Sequence, residues 1–408
     1  MSPLSRRTFL GGAAALGGAW ALGACSGDER AEPSTSKDPT SRPTTSRQTT
    51  PRRLLSGVDG TLVVVTLYGG NDALNTVAPT GDSQYAALRG ALALDPSTTH
   101  PLTEGFGLHP ALTGTKALWD DDRLAVIHGV GFDGLDRSHF HCMDIWQAGS
   151  EDEQTTGWVG RWLDAVGTEP LDAVAVGRTL PLLVRGERRS AAVVPAGPFE
   201  LIGDDRLRSS LATLTGDDER SPLAAAVASS SADMLEVVDT VGPVVASGAG
   251  NETLEGERLA DRMAVVAAMI EADLPTRVYA VDLGGFDTHA GQLPTHEALL
   301  AELDEAVAGF VERTSDRPVT VAIYSEFGRR VPANASGGSD HGRAGTVLLA
   351  GHVRPGHHGE PPPLDALVDG DLATTVDNRA VLGGLLEGVL GIDAADILGS
   401  GPAPLDLV

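Results

Sequence analysis

The sequence has few cationic residues and only two cysteines. Its 408 residues carry 30 Lys and Arg against 56 Asp and Glu, which gives a formal net charge of −26. Nucleic-acid binding needs a basic surface, so this charge argues against nucleic acid as a partner. Two cysteines are too few for a disulfide framework. Hydrophobic residues nevertheless make up 41% of the chain, which is enough for a sizeable core and excludes wholesale disorder.

The motifs of nucleotide-binding folds and of serine hydrolases are also missing. Gly69 and Gly70 follow an apolar run, but neither G-x-G-x-x-G nor the Walker pattern continues from them. There is no G-x-S-x-G nucleophile elbow. Ser138 stands directly beside His139, and a serine and histidine adjacent in sequence seldom form a nucleophile and its base. Ser138 is therefore predicted to be a loop residue or a ligand of the reacting group.

The first 53 residues are predicted to be an export signal and a linker. Arg6-Arg7 precedes a short uncharged stretch that ends at Ala24, which is typical of a twin-arginine signal over residues 1–24. A membrane-spanning helix needs about 20 apolar residues, and this stretch is shorter. Leu22-Gly23-Ala24-Cys25 resembles a bacterial lipobox, and the Ser/Thr/Pro-rich residues 25–53 have the composition of a flexible stalk. We expect a lipoprotein anchored by Cys25 to the outer face of the cytoplasmic membrane, or a secreted form.

Residues 54–408 alternate between strand-like and helical patterns, which predicts an α/β fold with a mostly parallel sheet covered by helices on both faces. Short apolar runs bounded by turn residues predict buried strands. These runs lie at 61–68, 124–128, 277–283, 319–324 and 346–350. Helical patterns lie at 83–93, 110–120, 222–238, 259–270, 299–310 and 378–390. The weaker pattern over about 171–250 predicts a cap or insertion.

Polar residues follow four of the predicted strands, where an open α/β sheet binds its ligands. Asp and neutral His are ligands of borderline divalent metals such as zinc or manganese, so a divalent metal cofactor is expected. The candidate metal ligands are Asp72, His139, Asp287, His289, His296, Asp340 and His341. Each of these residues alone could equally be a helix cap or a turn residue. Together they predict a metal site at the rim of the sheet.

Three arginines in the same clusters are candidate anion clamps, because a guanidinium binds phosphate, sulfate or carboxylate in a bidentate manner. They are Arg137, Arg329 and Arg330, and ion pairing at an acidic surface is an equal alternative for each. Residues 1–53 hold eight cations and four anions, so the remainder carries 22 against 52 and a net charge of −30. An acidic exterior repels anions at long range, and an anionic substrate would need a locally positive pocket.

The order of the motifs resembles a known family. Gly-Gly-Asn-Asp-x-x-Asn, Ser-His-Phe, Gly-Trp-x-Gly-Arg, Gly-Gly-Phe-Asp-Thr-His, Ser-Glu-Phe-Gly-Arg and Asp-His-Gly follow the twin-arginine leader. This order is similar to that of the bacterial domain-of-unknown-function family 1501, over about residues 62–398. That family is placed in the alkaline phosphatase-like superfamily, with phosphatases, sulfatases and phosphoglycerate mutases.

The resemblance implies a three-layer α/β/α sandwich with a metal centre at the strand ends. Asp340-His341 resembles the superfamily's metal-binding Asp-His pair, and Asp287 with His289, and with His296, resembles its other metal-binding set. Asp72 resembles the opening acidic ligand. The chain departs from the superfamily pattern because no clear Ser, Thr or Cys nucleophile follows that aspartate.

Two functions follow as hypotheses. The first is an exported metal-dependent hydrolase of phosphate or sulfate esters, acting on an anionic small molecule or polymer. Its metal would activate a hydroxyl or water, and Arg137 or Arg329 would hold the ester oxygens, with Ser138 near the reacting group. The alternative is a lipid-anchored binding or structural module that keeps the fold without catalysis.

Overall fold

The computed structural model describes residues 57–134, 136–197, 199–200, 205–213, 221–248 and 258–408. The predicted export signal, the lipidation site Cys25 and the linker 25–53 lie outside the described residues. Among the helices that are described, none combines the length and the apolar character that a membrane span requires.

The described residues form a central nine-stranded sheet and a small three-stranded one. The central order is β11-β5-β10-β9-β1-β8-β6-β7, with β12 also paired to β5, and the small sheet has the order β2-β4-β3. The strands are β1 (Thr61–Tyr68), β2 (Val77–Ala78), β3 (His100–Pro101), β4 (Gly107–Leu108), β5 (Leu124–Gly131), β6 (Ala173–Val176), β7 (Ala192–Val194), β8 (Val278–Gly284), β9 (Val319–Ser325), β10 (Gly345–Gly351), β11 (Gly356–His358) and β12 (Val376–Asp377). In the central sheet β10 pairs antiparallel with β5 and β9, and the other pairings are parallel.

Helices cover both faces of the central sheet. They are α1 (Ala73–Thr76), α2 (Tyr85–Arg89), α3 (Thr113–Asp120), α4 (His139–Ala148), α5 (Trp158–Val166), α6 (Asp205–Thr213), α7 (Pro222–Gly248), α8 (Leu259–Glu271), α9 (Gln292–Arg313), α10 (Asn378–Gly388) and α11 (Ala394–Leu398). Side chains alternate along a strand, so β1 serves two cores. Val63 and Val65 pack into the core that contains residues of α8 and α9, whereas Leu62 and Val64 pack into the core that contains residues of α4 and α10. The three-layer α/β/α sandwich is therefore confirmed.

All five predicted strands are present as β1, β5, β8, β9 and β10, with ends that differ by at most three residues. The stretch 171–250 contributes β6 and β7 to the sheet beside β8. Its described helices α6 and α7 contact each other, and α7 packs on α8. The first part of this stretch is thus part of the main sheet.

The sheet topology brings the informative loops to one edge. β1 lies between β8 and β9 and runs parallel to both, with Tyr68 opposite Gly284 and Leu67 opposite Ser325. The carboxyl ends of these three strands therefore meet. β5 runs the same way as β9, since both are antiparallel to β10, and its carboxyl end joins the same edge.

Candidate metal centre

Ligand atoms from three loops converge at this edge. His139, Asp287 and His341 each offer one ligand atom, and these atoms all lie within 4.8 Å of one another. His289 lies beside them: its Nε2 atom is 3.0 Å from Asp287 Oδ1 and 2.9 Å from His341 Nε2. His139 opens α4, Asp287 and His289 follow β8, and His341 follows β9. The structure thus brings together four of the seven predicted ligands.

The Nδ1 atoms of the three histidines are bonded to groups that can only accept a hydrogen bond. His139 Nδ1 donates to Glu326 Oε1 at 2.7 Å, and His341 Nδ1 donates to the Arg137 carbonyl at 2.9 Å. His289 Nδ1 donates to Asp340 Oδ1 at 3.2 Å. In a neutral imidazole a protonated Nδ1 leaves a lone pair on Nε2. Such partners orient the rings of metal-binding histidines.

With Nδ1 protonated, the Nε2 atoms are hydrogen-bond acceptors, as is the Asp287 carboxylate. These acceptor atoms nevertheless lie in close contact. His289 Nε2 and His341 Nε2 are 2.9 Å apart, and His341 Nε2 is 3.1 Å from Asp287 Oδ1. The buried Nε2 atom of His139 has no hydrogen bond within the described part and lies 3.5 Å from Asp287 Oδ1. In a tetrahedral zinc site with Zn–N bonds of about 2.0–2.1 Å, neighbouring ligand atoms are about 3.3 Å apart. The donor set therefore fits a divalent metal ion.

The charges in the cluster suit the same reading. Burial alone would raise the pKa of Asp287, but the hydrogen bond and the positive charge of Arg329 outweigh it and lower this pKa to about 2. Burial lowers the pKa of His341 below its usual value. At neutral pH the cluster thus offers an ionised carboxylate and a neutral imidazole, the forms that bind metal.

Arg329 lies beneath the cluster and is fully buried, which does not fit its predicted role as an anion clamp. Its guanidinium donates to the carbonyls of Gly70 (2.7 Å), Ser339 (2.9 Å), Phe286 (3.0 Å) and Gly69, and to the Asp287 carboxylate at 2.6 Å. All three nitrogens are engaged by the protein. Arg329 therefore ties the loops together and positions Asp287.

A glycine allows the loop after β1 to approach Asp287 closely. Gly69 has a φ of +120°, and a Cβ atom there would lie 2.4 Å from the Asp287 nitrogen. Another residue at this position would displace the ligand loop, which explains the Gly-Gly pair that follows β1.

Asp72 belongs to a separate buried network, so the prediction that it is a metal ligand does not fit. It caps α1 by accepting from the Leu74 and Asn75 nitrogens at 3.1 and 3.3 Å. Its other oxygen forms an ion pair with Arg89 and accepts from Gln292 Nε2. Burial would raise its pKa, but the charge of Arg89 is the main cause that lowers it. Arg89 therefore already balances the charge of the Asp72 carboxylate, in place of a metal ion.

His296 also lies outside the cluster. It is buried on α9, where Nε2 donates to Asn71 Oδ1 at 2.9 Å, and burial lowers its pKa to about 4. It therefore belongs to the polar network around Asp72 and not to the metal centre.

The remaining predicted residues surround the centre. Asp340 accepts from Asn334 Nδ2 at 3.1 Å as well as from His289, so it orients a ligand. Ser138 caps α4, with its Oγ atom 3.5 Å from the His141 nitrogen. This cap sets the start of the helix that presents His139. Among the described residues Ser138 forms no hydrogen bond to the cluster.

The prediction missed Glu326. Its buried carboxylate accepts from His139 Nδ1 at 2.7 Å, from the Gly69 nitrogen at 2.9 Å and from Ser325 Oγ at 2.8 Å. Its position in the sequence was the available signal. An acidic residue directly after a buried strand is costly to bury unless a partner compensates its charge.

The fold and the site define an α/β protein with a histidine–aspartate cluster that could hold a metal ion at the carboxyl edge of its sheet. None of the curated protein sequences matches the chain. The chain belongs to the family described as "Protein of unknown function (DUF1501)", which matches residues 106–377. The resemblance inferred from the motifs is therefore confirmed.

Solved structures of bacterial envelope proteins show a distant similarity. The C-terminal periplasmic domain of EcEptC from Escherichia coli, in complex with Zn, is 10% identical with a TM-score of 0.34, covering 73% of this chain and 75% of that one. The soluble domain of the lipooligosaccharide phosphoethanolamine transferase A from Neisseria meningitidis is 8% identical with a TM-score of 0.35, covering 74% and 80%. The lipoteichoic acid synthase LtaP from Listeria monocytogenes is 7% identical with a TM-score of 0.37, covering 85% and 76%. Similarity at this level does not define a substrate for this chain.

Proposed function

We propose that the chain is an exported, metal-dependent hydrolase of phosphate or sulfate esters. The main support for a metal centre is that three possible ligand atoms converge. Nε2 of His289, Nε2 of His341 and Oδ1 of Asp287 lie about 3 Å apart. The Nδ1 atoms of these two rings are engaged by Asp340 and by the Arg137 carbonyl, so both Nε2 lone pairs and the carboxylate oxygen would be available to one cation. The implied membership of the alkaline phosphatase-like superfamily supports the reaction class.

Each residue of the cluster has a defined part in this proposal. His139, Asp287 and His341 would hold the metal, with His289 as a fourth ligand, while Glu326 and Asp340 fix the rings. A divalent ion held there would polarise an ester oxygen and activate water. Asp287 and His289 are 48% and 44% exposed, so an ester can reach the cluster from solvent.

Export would follow from the twin-arginine signal, with Cys25 as a lipid anchor or with release of the chain. Replacing Cys25 with alanine should move the protein from the membrane fraction to the medium if the anchor is used. An unchanged distribution would contradict an anchor at Cys25.

The central experiment measures metal content and turnover on the same purified full chain. Wild type should retain or regain about one Zn²⁺ or Mn²⁺ per chain and should hydrolyse members of a panel of phosphate and sulfate esters. His341→Ala should lose both the metal and turnover. His352→Ala removes an exposed histidine outside the cluster and should change neither. A wild-type chain that neither binds metal nor hydrolyses any ester after reconstitution refutes the proposal.

A further inference from the structure

We propose that Arg137 and Arg330, held by the buried carboxylate of Asp371, form a subsite that binds a tetrahedral oxyanion beside the candidate metal centre. The inference rests on the proposed function for the identity of the anion, a phosphate or sulfate group. It adds the residues that would bind this group.

A single buried carboxylate fixes both guanidinium groups. Asp371 has no exposed surface, and its Oδ2 atom accepts from Arg137 Nη2 at 2.5 Å. Its Oδ1 atom accepts from Arg330 Nε at 3.1 Å. Two guanidinium groups thus share one buried carboxylate. The shared partner also holds the two arginine side chains next to each other.

Both arginine side chains are partly exposed, and each guanidinium has N–H donors without a partner among the described residues. Arg137 is 37% exposed, and among the described residues only its Nη2 atom makes a side-chain hydrogen bond. Arg330 is 34% exposed and uses Nε for Asp371 and Nη2 for the Asp369 carbonyl, which leaves Nη1. A guanidinium carries five N–H donors, so this pair can still bind an oxyanion. Arg329, next in sequence to Arg330, has no nitrogen left for this purpose.

The pair is attached directly to the metal centre. The Arg137 carbonyl accepts from His341 Nδ1 at 2.9 Å, and Arg137 precedes His139 by two residues. The Arg330 nitrogen donates to the Asp340 carbonyl at 3.0 Å. The segments that carry both arginines are therefore joined by backbone hydrogen bonds to the segments that carry His341 and Asp340.

The backbone around Asp371 is built to hold this arrangement. Asp369 and Gly370 both have positive φ values, +54° and +83°, in a turn closed by hydrogen bonds between Val368 and Asp371. A Cβ atom at position 370 would lie 3.0 Å from Arg330 Nη2. Arg137 also has a positive φ, +62°. Such conformations in residues other than glycine persist where the surrounding structure fixes them, often at functional sites.

The net charge of the domain disfavours anions, which a local pair of cations would offset. Residues 54–408 carry a net charge of −30, which disfavours an approaching anion. The arginine pair supplies the positive pocket that an anionic ester requires at the centre.

The test is calorimetric binding of inorganic phosphate and, separately, of sulfate to the full chain at pH 8, with metal content measured on each sample. Arg137→Gln and Arg330→Gln should each weaken binding about 10-fold to 100-fold, the range expected for loss of charge-assisted hydrogen bonds. Arg137→Lys should recover part of the loss, because it keeps the charge without the planar fork. Arg354→Gln is the matched control, since Arg354 is an exposed arginine paired with Asp406 and follows the opposite end of β10. It should bind both anions as wild type does.

The variant Asp371→Asn distinguishes two effects of Asp371: its positioning of the two arginines and its contribution to the net charge of the chain. The variant makes the chain more positive by one, so simple electrostatics predicts tighter anion binding. Our proposal predicts weaker binding with metal content unchanged, because the two guanidiniums lose their shared anchor. If this variant does not fold, the arginine variants decide.

Wild-type affinity in both glutamine variants, or tighter binding in Asp371→Asn, overturns the subsite. Failure of the hydrolase proposal looks different: the chain would lack metal and turnover while anion binding still depended on Arg137 and Arg330. The anion that wild type binds more tightly, phosphate or sulfate, indicates which class of ester the site accepts.

Discussion

Replacing Arg89 with methionine should destabilise the protein strongly without changing the proposed metal binding. Arg89 has no exposed surface, and it donates to the Asp72 carboxylate, to Asn75 Oδ1 at 2.8 Å and to the carbonyls of Arg330 and Val331. Methionine fills similar space but leaves the Asp72 carboxylate buried beside Gln292 and two backbone nitrogens. The change therefore removes the buried cation together with its hydrogen bonds to Asn75 and to two carbonyls.

The expected size follows from the burial. Breaking a buried ion pair by removing one partner costs about 3–5 kcal/mol, whereas an exposed pair is worth about 0–1 kcal/mol. Arg354 and Asp406 form such an exposed pair, with 56% and 67% of their side chains accessible. For a domain of this size 1 kcal/mol shifts Tm by about 1.5 °C, so Arg89→Met should lower Tm by about 5–8 °C. Arg354→Met should lower it by less than about 2 °C.

Thermal unfolding followed by circular dichroism measures both variants, and metal analysis completes the experiment. The double variant Arg89→Met with Asp72→Asn should recover part of the loss, because it leaves no unpaired charge. Asp72→Asn alone should keep the wild-type metal content. The reasoning is refuted if Arg89→Met is no more destabilising than Arg354→Met, or if Asp72→Asn loses the metal.

Two further predictions concern buried groups at the same edge of the sheet. Glu326→Gln should weaken metal affinity about 10-fold to 100-fold in a chelator competition, because it weakens the hydrogen bond that orients His139. The control Glu312→Gln, at an exposed position, should leave the metal affinity unchanged. Burial lowers the pKa of His128 on β5 to about 3, so acid favours the unfolded chain below pH 6.5. The free energy of unfolding should fall by about 3 kcal/mol between pH 7 and pH 4 on this account. His128→Gln should remove this part of the pH dependence of the unfolding free energy, measured by urea unfolding, whereas His352→Gln should not. If the unfolding free energy of His128→Gln depends on pH as that of wild type does, the pH dependence does not come from His128.

The main strands could be predicted from the sequence because each is a long apolar run. β1 and β5 have eight residues each, and most of their side chains are buried, so their pattern stands out from the turns around them. β6 and β7 have four and three residues and no flanking pattern of comparable length. Such short strands depend on their neighbours in the sheet, β8 for β6 and β6 for β7, which a local pattern does not reveal.

The metal centre could be predicted in part for a similar reason. His139, Asp287 and His341 follow parallel strands, and the carboxyl ends of such strands must meet. Asp72 also follows a strand, yet it caps a helix and pairs with Arg89, a residue 17 positions further along the chain. Local sequence does not show which partner a buried carboxylate will find, and the same limit hid Glu326.

The central position of β1 also governs how the chain can fold. β1 is the first of the described strands to leave the ribosome, but both of its neighbours come late, with Leu62 opposite Val278 on one side and Thr320 on the other. At a synthesis rate of about 5–20 residues per second, β1 waits about 10–45 s for its first partner. During that time a strand of six consecutive buried residues is exposed to other chains. Chaperone binding to nascent chains should therefore concentrate on this segment until β8 has been made.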